Sequence, residues 1–538
     1  MTSIYADKVL VNGNIHTHSG RSATSLAILG ERIALLGSDE EVLESAGPGT
    51  QVIDLNGRLV IPGFIDTHIH PSMAGALLTG DLDFKTLRPE SIHQLQEIVR
   101  KKASETPKGE WVQGWGYDEE RFTEGRLPNR WELDAAAPDN PVFLVQTCGH
   151  VAAANSIALD IGGVSKDVPD PKQGIIDRNP DGEPTGILRN RAQRLVKGHL
   201  PRKGRERMKE ALRVALERLA SHGVTGIHDA WSGPALIRIY QELLSEGRLP
   251  VRVGLMPPIA NQFEGDYLPQ LTSLGLQTGF GSPRLRIVGA KVALDGMLRS
   301  GTAALREDYE GKEEDRGLLT IDADVLQEKV RACHAAGIRV CIHAEGDRGI
   351  DTALDAVEMA KEETPESELR HRIEHFGLCH PDQMKRMKRL GVIPSVSINF
   401  IRDIGEGYQR VLGLERSEWV YPLKSLEEHG ILGSCNSDWP VSVGNPMIGL
   451  HSAVARKTWK ENDLGASQGI TVEEAVKAYT WNGAYASNEE NIKGSIEVGK
   501  LADLAVVDRD IFTVPVDEIL DARVDMTLLG GRVVYLRA

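Results

Sequence analysis

Between about residue 59 and residue 492, eight short apolar runs alternate with amphipathic stretches, and this constrains the chain more than any other feature. The runs are "GFIDTHIH", "GVTGIHDA", "VRVGLMP", "LRIVGAKVALDG", "IRVCIHAEG", "HRIEHF", "VIPSVS" and "ILGSCNSDWP". The intervening segments "GRERMKEALRVALERLASHG", "DADVLQEKVRACHAAG", "GIDTALDAVEMAKEE" and "HPDQMKRMKRLG" place apolar residues three and four apart, the period of a helix with one buried face. Continuously apolar strands separated by helices are what a parallel sheet covered on both faces requires. Eight such strands predict an α/β architecture closed into a (β/α)8 TIM barrel. In that architecture chemistry sits at the C-terminal ends of strands, and polar residues cluster there in this sequence.

The flanks read differently. "KVLVNGNIHT", "SLAILGERIALLG" and "QVIDLNGRLVIPG" at one end, and "KGSIEVGKLADLAVVDRD" and "VDMTLLGGRVVYLRA" at the other, are short alternating runs broken by Gly and Asn. The reading is a small composite β-domain from residues 1–58 and 493–538, around a barrel over 59–492. Residues 72–220 break the simple repeat and are expected to form an insertion covering the barrel mouth. At 538 residues the chain exceeds what one core supports, consistent with several units.

A net charge of −15 argues against a nucleic-acid or anionic-membrane partner. The five cysteines, Cys148, Cys333, Cys341, Cys379 and Cys435, contain no C-x-x-C pair and fit a reduced compartment. The N-terminus lacks a basic start followed by a long apolar run. No stretch approaches the roughly 20 apolar residues of a membrane span. A cytoplasmic location is therefore expected, with a symmetric dimer as the default assembly.

"PGFIDTHIHP" holds His68 and His70, two apart on a strand and so on the same face, where two imidazoles can serve one metal. The competing reading is a pair of surface or packing histidines. "NIHTHSG" supplies an internal control, with His16 and His18 at the same spacing in the Gly-rich N-terminal sheet region; it is assigned no chemical role. His343, His375 and Asp438 follow at later strand ends. Each alone reads as structural, but together the five make an N/O donor set suited to a divalent ion, zinc first, with manganese or iron as alternatives. Lys291 stands inside an otherwise apolar strand. It either reaches solvent, pairs with Asp295, or loses its proton and captures carbon dioxide as a carbamate that bridges two metals.

Beyond these residues the chain resembles the amidohydrolase superfamily, in the family 3 branch that includes N-substituted formamide deformylases and YtcJ-like hydrolases. The resemblance rests on "PGFIDTHIH", "GWGYDEERF", "GHVAAANSIAL", "DGEPTGILR", "KVALDG", "HAEGDRGIDTALDA", "HRIEHF", "NSDWPV" and "GSIEVGKLADLAVVD", which run through essentially the whole chain. It implies a distorted (β/α)8 barrel plus a β-sandwich built from both termini. It also implies two divalent metal ions, held by His68, His70, His343, His375, Asp438 and a carboxylated, bridging Lys291. Asp438 would shuttle a proton while a hydroxide shared by the metals hydrolyses a C–N amide bond, that of an N-substituted formamide or related N-acyl amine. A cyclic-amide hydrolase, a deaminase of the same superfamily and a non-catalytic regulatory homologue are the alternatives. Glu345 in "HAEGD" departs from the apolar residue usual there. For the small-molecule substrate, Trp115, Tyr117, Cys148 and His150 of the insertion are candidate contacts, together with His228 and Trp439. Both aromatics of the insertion have an equal claim to packing its own core, and His228 to orienting a ligand.

Overall fold

Each apolar run between residues 59 and 492 forms a strand in the computed structural model, which describes residues 5–18, 20, 23–147, 149–172, 174–201, 204–260, 265–365 and 368–538. The strands are β1 (Phe64–Ile69), β2 (Val224–Asp229), β3 (Arg252–Leu255), β4 (Leu285–Ile287), β5 (Ala290–Ala293), β6 (Val340–Ala344), β7 (Arg372–His375), β8 (Ile393–Val396) and β9 (Ser434–Cys435). β1, β2, β3, β5, β7 and β8 are buried at every residue, which is why the sequence shows runs rather than alternation. The helices Ala323–Ala335, Asp347–Glu363 and Pro381–Leu390 fall on the amphipathic segments. The last begins with Pro at its first turn and stops at Gly391, whose φ of 62° closes it.

The fold is mixed α/β. β1 to β4 are neighbours in one sheet in the order β4-β3-β2-β1, and β5 to β9 follow one another in a second. All pairings among β1–β4 and among β5–β9 are parallel. The fourth apolar run was expected as one strand; it is divided between the two sheets, into β4 and β5. Gly289 marks the division, and a side chain there would meet the Cys341 thiol at 2.7 Å. Backbone bonds bridge the division, from Val288 N to Leu255 O (3.0 Å) and from Lys291 N to Pro257 O (2.9 Å). At the other edge Asp438 N donates to His68 O (3.0 Å), and Thr67 Oγ1 to Cys435 O (3.0 Å), so β9 and the segment after it lie against β1.

The chain divides into two compact units, Met1–Pro71 with Leu216–Ala538, and Ser72–Ala215. In the first, strands from both termini share one hydrophobic cluster, with Leu10, Ile15, Leu26 and Ile28 against Leu504, Val506 and Leu528. Asn14–Ile15 and Leu59–Pro62 lie in the same sheet as Leu504–Val507, Val524–Leu529 and Arg532–Leu536. Arg252 on β3 makes a buried double hydrogen bond to Asp503 (2.6 and 2.8 Å) beside that sheet. Removing one partner of such a pair costs about 3–5 kcal/mol. The second unit has its own six-stranded sheet, from Gly174–Arg178 at one edge to Leu82–Asp83 at the other, and its own core. Among the described residues, no helix is long and apolar enough to cross a membrane.

Candidate metal centre

β1 carries Asp66, Thr67 and His68 in succession, so Asp66 and His68 share a face and Thr67 points the other way. Thr67 bonds sideways to Ser395 Oγ (2.7 Å). Asp66 accepts from Ser437 Oγ (2.5 Å) and from the backbone N–H of Ser437 (3.2 Å) and His68 (3.3 Å). That clamp fixes the turn carrying Asp438 over the end of β1. Burial pushes the Asp66 carboxyl up to about 7, against these hydrogen bonds.

His70 Nε2 lies 3.1 Å from Asp438 Oδ1, and His68 Nε2 lies 3.7 Å from the same oxygen. Donor atoms of His68, His70 and Asp438 all fall within 4.8 Å of one another. His375 holds its ring 4.4 Å from that of His68, tilted by 55°, and places Nδ1 3.8 Å from Asp438 Oδ2 and 2.9 Å from Ser397 Oγ. The His343 ring is 4.3 Å from that of His375. Its Nε2 faces Gly296 O (2.9 Å) and Asp295 Oδ1 (3.3 Å). Three predicted histidine donors thus surround Asp438, with His343 beside His375 and turned toward Gly296 and Asp295.

Among the buried polar atoms here without a hydrogen-bond partner are His68 Nε2, Asp438 Oδ1 and Lys291 Nζ. Leaving such atoms bare costs about 1–3 kcal/mol each. A divalent cation among them would satisfy two lone-pair donors at once, and an imidazole–carboxylate set suits zinc-like ions. Burial pushes His68 and His375 well below the ordinary histidine range, helped by neighbouring cationic groups such as Lys291. Both rings are therefore neutral and able to donate a lone pair. His375 and Asp438 hold φ of 67° and 52°, a backbone strain of about 1–3 kcal/mol each that concentrates at functional sites.

Lys291 neither reaches solvent nor pairs with Asp295. It is 1% exposed, and its Nζ stands 5.8 Å above the Trp231 ring. Asp295 is instead taken by the backbone N–H groups of Ala304, Glu345 and Gly346. Burial brings the Lys291 amine down to about 8, with the Glu374 and Asp438 carboxylates pulling the other way. Glu345 is fully buried, which pushes its carboxyl well up, and accepts from Leu298 N at 2.7 Å. It thereby tethers the segment whose Gly296 carbonyl faces His343.

The remaining candidates separate. His228 is buried, and its Nδ1 is 2.8 Å from an Arg372 amine. Trp439 is half-buried, its backbone carbonyl accepts from His70 N (2.9 Å), and Gly444 lies against its ring. Trp115, Tyr117 and His150 belong to the second unit. Tyr117 is fully buried in that unit's core beside Phe84 and Phe122, so the packing alternative describes it. Trp115 is partly buried against a second cluster there, and His150 Nδ1 lies 3.1 Å from Asn190 Oδ1. Cys148 lies outside the described residues.

Sequence reasoning missed Asp66, Arg372 and Glu374. Glu374 Oε2 is 2.6 Å from His68 Nδ1, and Arg372 pairs with the same carboxylate. The signal was available: two opposite charges at i and i+2 in a strand whose neighbours are apolar mark an internal ion pair.

Known proteins bear on this geometry. The model of the Amidohydrolase family matches residues 51–535. An N-substituted formamide deformylase of Arthrobacter pascens is 29% identical, covering 99% of this chain and 98% of its own length. The YtcJ protein of Bacillus subtilis (strain 168) is 29% identical over 93% of both. A solved structure described as an uncharacterized metal-dependent hydrolase, from Pyrococcus furiosus, is 31% identical with a TM-score of 0.75, covering 94% of this chain and all of that one.

Proposed function

The chain belongs to the amidohydrolase family, and from that premise we propose that it hydrolyses the amide C–N bond of an N-substituted formamide or related N-acyl amine at a divalent-metal centre. One observation carries the reading: bare, buried His68 Nε2 and Asp438 Oδ1 converge with His70 beside an equally bare Lys291 amine. The deformylase named above supports the substrate class.

His68, His70 and Asp438 would hold one ion, and His343 and His375, with Lys291 as its carbamate, would supply the donors for a second. Bound there, divalent ions supply Lewis acidity and a nucleophile at neutral pH. The residues do the rest. Asp438, whose Oδ1 faces the β1 histidines, takes a proton from the attacking water on its carboxylate and returns it to the departing nitrogen as the C–N bond breaks. The Asp66–Ser437 clamp keeps that carboxylate in register. Lys291, with its amine lowered to about 8, is available to carbon dioxide near neutrality. We also read the two parallel sheets as halves of one distorted (β/α)8 barrel over 59–492, with the terminal strands of 1–58 and 493–538 as a β-sandwich; the backbone bonds at both sheet edges support this.

A one-ion reading has its own support, since His343 Nε2 faces the Gly296 carbonyl rather than the tight triad. Elemental analysis of the purified chain, paired with formate and amine release from an N-benzyl formamide, separates the two. About two ions per chain with equal formate and amine supports the binuclear deformylase. One ion per fully active chain removes Lys291 from the centre and favours single-ion chemistry such as deamination. An active chain without divalent metal would falsify the proposal.

A further inference from the structure

We infer that Glu374, gripped by Arg372, is the positioning residue that fixes the His68 ring with its proton on Nδ1 and its Nε2 bare toward a divalent cation. The inference rests on the metal-centre reading above and deepens it. Glu374 Oε2 lies 2.6 Å from His68 Nδ1. A paired carboxylate only accepts, so His68 must donate from Nδ1. Its Nε2 then carries the lone pair, and this is the atom that lies near Asp438 with no hydrogen-bond partner.

The carboxylate is itself immobilised. Arg372 lies 2.8 Å from Oε1 through Nε, and donates to Oε2 at 2.9 Å through a terminal amine. The same amine donates to Thr67 O at 2.6 Å, and the other faces His228 Nδ1 at 2.8 Å. Guanidinium groups only donate, so His228 accepts at Nδ1 and is the neutral ring with its proton on Nε2. Arg372 therefore reaches from β7 to the backbone of β1 and a side chain of β2. His68, His228, Arg372 and Glu374 are each no more than 1% exposed, so no solvent compensates for a rotated ring. This assigns His228 to the far end of the relay, where it orients Arg372. In metal sites generally, a carboxylate behind a ligand histidine fixes tautomer and ring direction, and its loss weakens metal binding roughly 10–100-fold.

The test uses the full chain stripped of metal, titrated with zinc against a chromophoric chelator, with imidazole nitrogen-15 spectra of the same metal-free samples. Wild type should show a proton on His68 Nδ1, assigned by its loss in His68→Asn. Glu374→Met should lose that Nδ1 proton and weaken the first zinc roughly 10–100-fold. Because Arg372 left unpaired can unfold the single variant, Arg372→Met/Glu374→Met is made alongside it, with no stranded charge. A double variant as weak as the single supports positioning. Recovery of wild-type affinity in the double variant overturns it, because the single variant's defect was then only the stranded arginine. Unchanged zinc affinity in Glu374→Met, or a wild-type His68 without a proton on Nδ1, also overturns it. If wild type keeps the Nδ1 proton yet takes up no zinc, the metal reading fails while the relay still sets the ring.

Discussion

The chain carries the His-x-His spacing twice, and the two copies meet different surroundings. His16 and His18 hold their rings 5.1 Å apart at 88°; His68 and His70 hold theirs 5.5 Å apart at 81°. Pair geometry alone does not distinguish them. His16 stacks on Phe512 at 4.1 Å, and His18 Nε2 is taken by Thr480 Oγ1 at 2.8 Å. Burial, His16 and the ammonium groups of Lys477 and Lys500 bring His18 down to about 4. A cation placed at His18 would meet those ammonium groups, offset in part by the Glu497 carboxylate. At His68 the far ring nitrogen meets Glu374, the near one is bare, and Asp438 supplies a third donor. Spacing therefore sets which way two rings face, and the third donor and local charge decide whether they serve a metal.

The largest contrast is in metal content. Replacing both His68 and His70 with Asn should remove at least one bound ion per chain and abolish hydrolysis, whereas the same change at His16 and His18 should alter neither. Elemental analysis and an amide assay read both, and equal metal loss from the two double variants would break the comparison. Next in size is Asp438→Asn. It removes the proton carrier while leaving one oxygen beside the histidines, so kcat should fall about 10²–10⁴-fold with some metal retained. Near-full activity with metal bound would end Asp438's role as acid and base. Smaller is the stabilisation by metal. At free metal about 1,000 times Kd, binding adds about 4 kcal/mol, so chelation should lower the Tm of wild type and of the His16/His18 variant alike. A Tm in either chain that ignores the chelator counts against a site preformed by the fold.

How far the sequence reaches follows from the same contrast. The parallel strands were legible because a strand buried on both faces must be apolar along its length, and the candidate donors stood out because they interrupt those runs at their ends. His16 and His18 were given no role from their place in the Gly-rich N-terminal region, and both lie just past the strand Asn14–Ile15. The break at Gly289 was not legible, since it follows from which strands each half pairs with, Arg252–Leu255 for one and Val340–Ala344 for the other. Lys291 stayed ambiguous because the choice turned on whether Asp295 was free, and three backbone N–H groups occupy it. Arg372 and Glu374 were overlooked although their opposite charges two apart in "HRIEHF" signalled an inward pair; what the fold adds is the partner, His68 Nδ1 on the Glu374 carboxylate. Tyr117 had equal claims to a pocket and to packing because an aromatic ring suits both, and it fills the core of the second unit.

The smallest effect separates the histidine pairs by pH. An ordinary histidine titrates at 6.5, and His18 in the fold does so at about 4. Above 6.5 neither state binds the proton and the native ring carries no penalty. As pH falls from 6.5 toward 4, the unfolded chain takes up a proton that the native His18 refuses, so stability drops. The full loss is on the order of 3 kcal/mol, reached as pH passes below 4. His18→Asn removes that term while tolerating the residue's φ of 61°. Measured by denaturant unfolding between pH 7 and pH 4, wild type should lose more stability than the variant, with the divergence beginning near 6.5. Parallel curves would show that His18 takes its proton inside the fold, and that Lys477 and Lys500 do not repel a cation there.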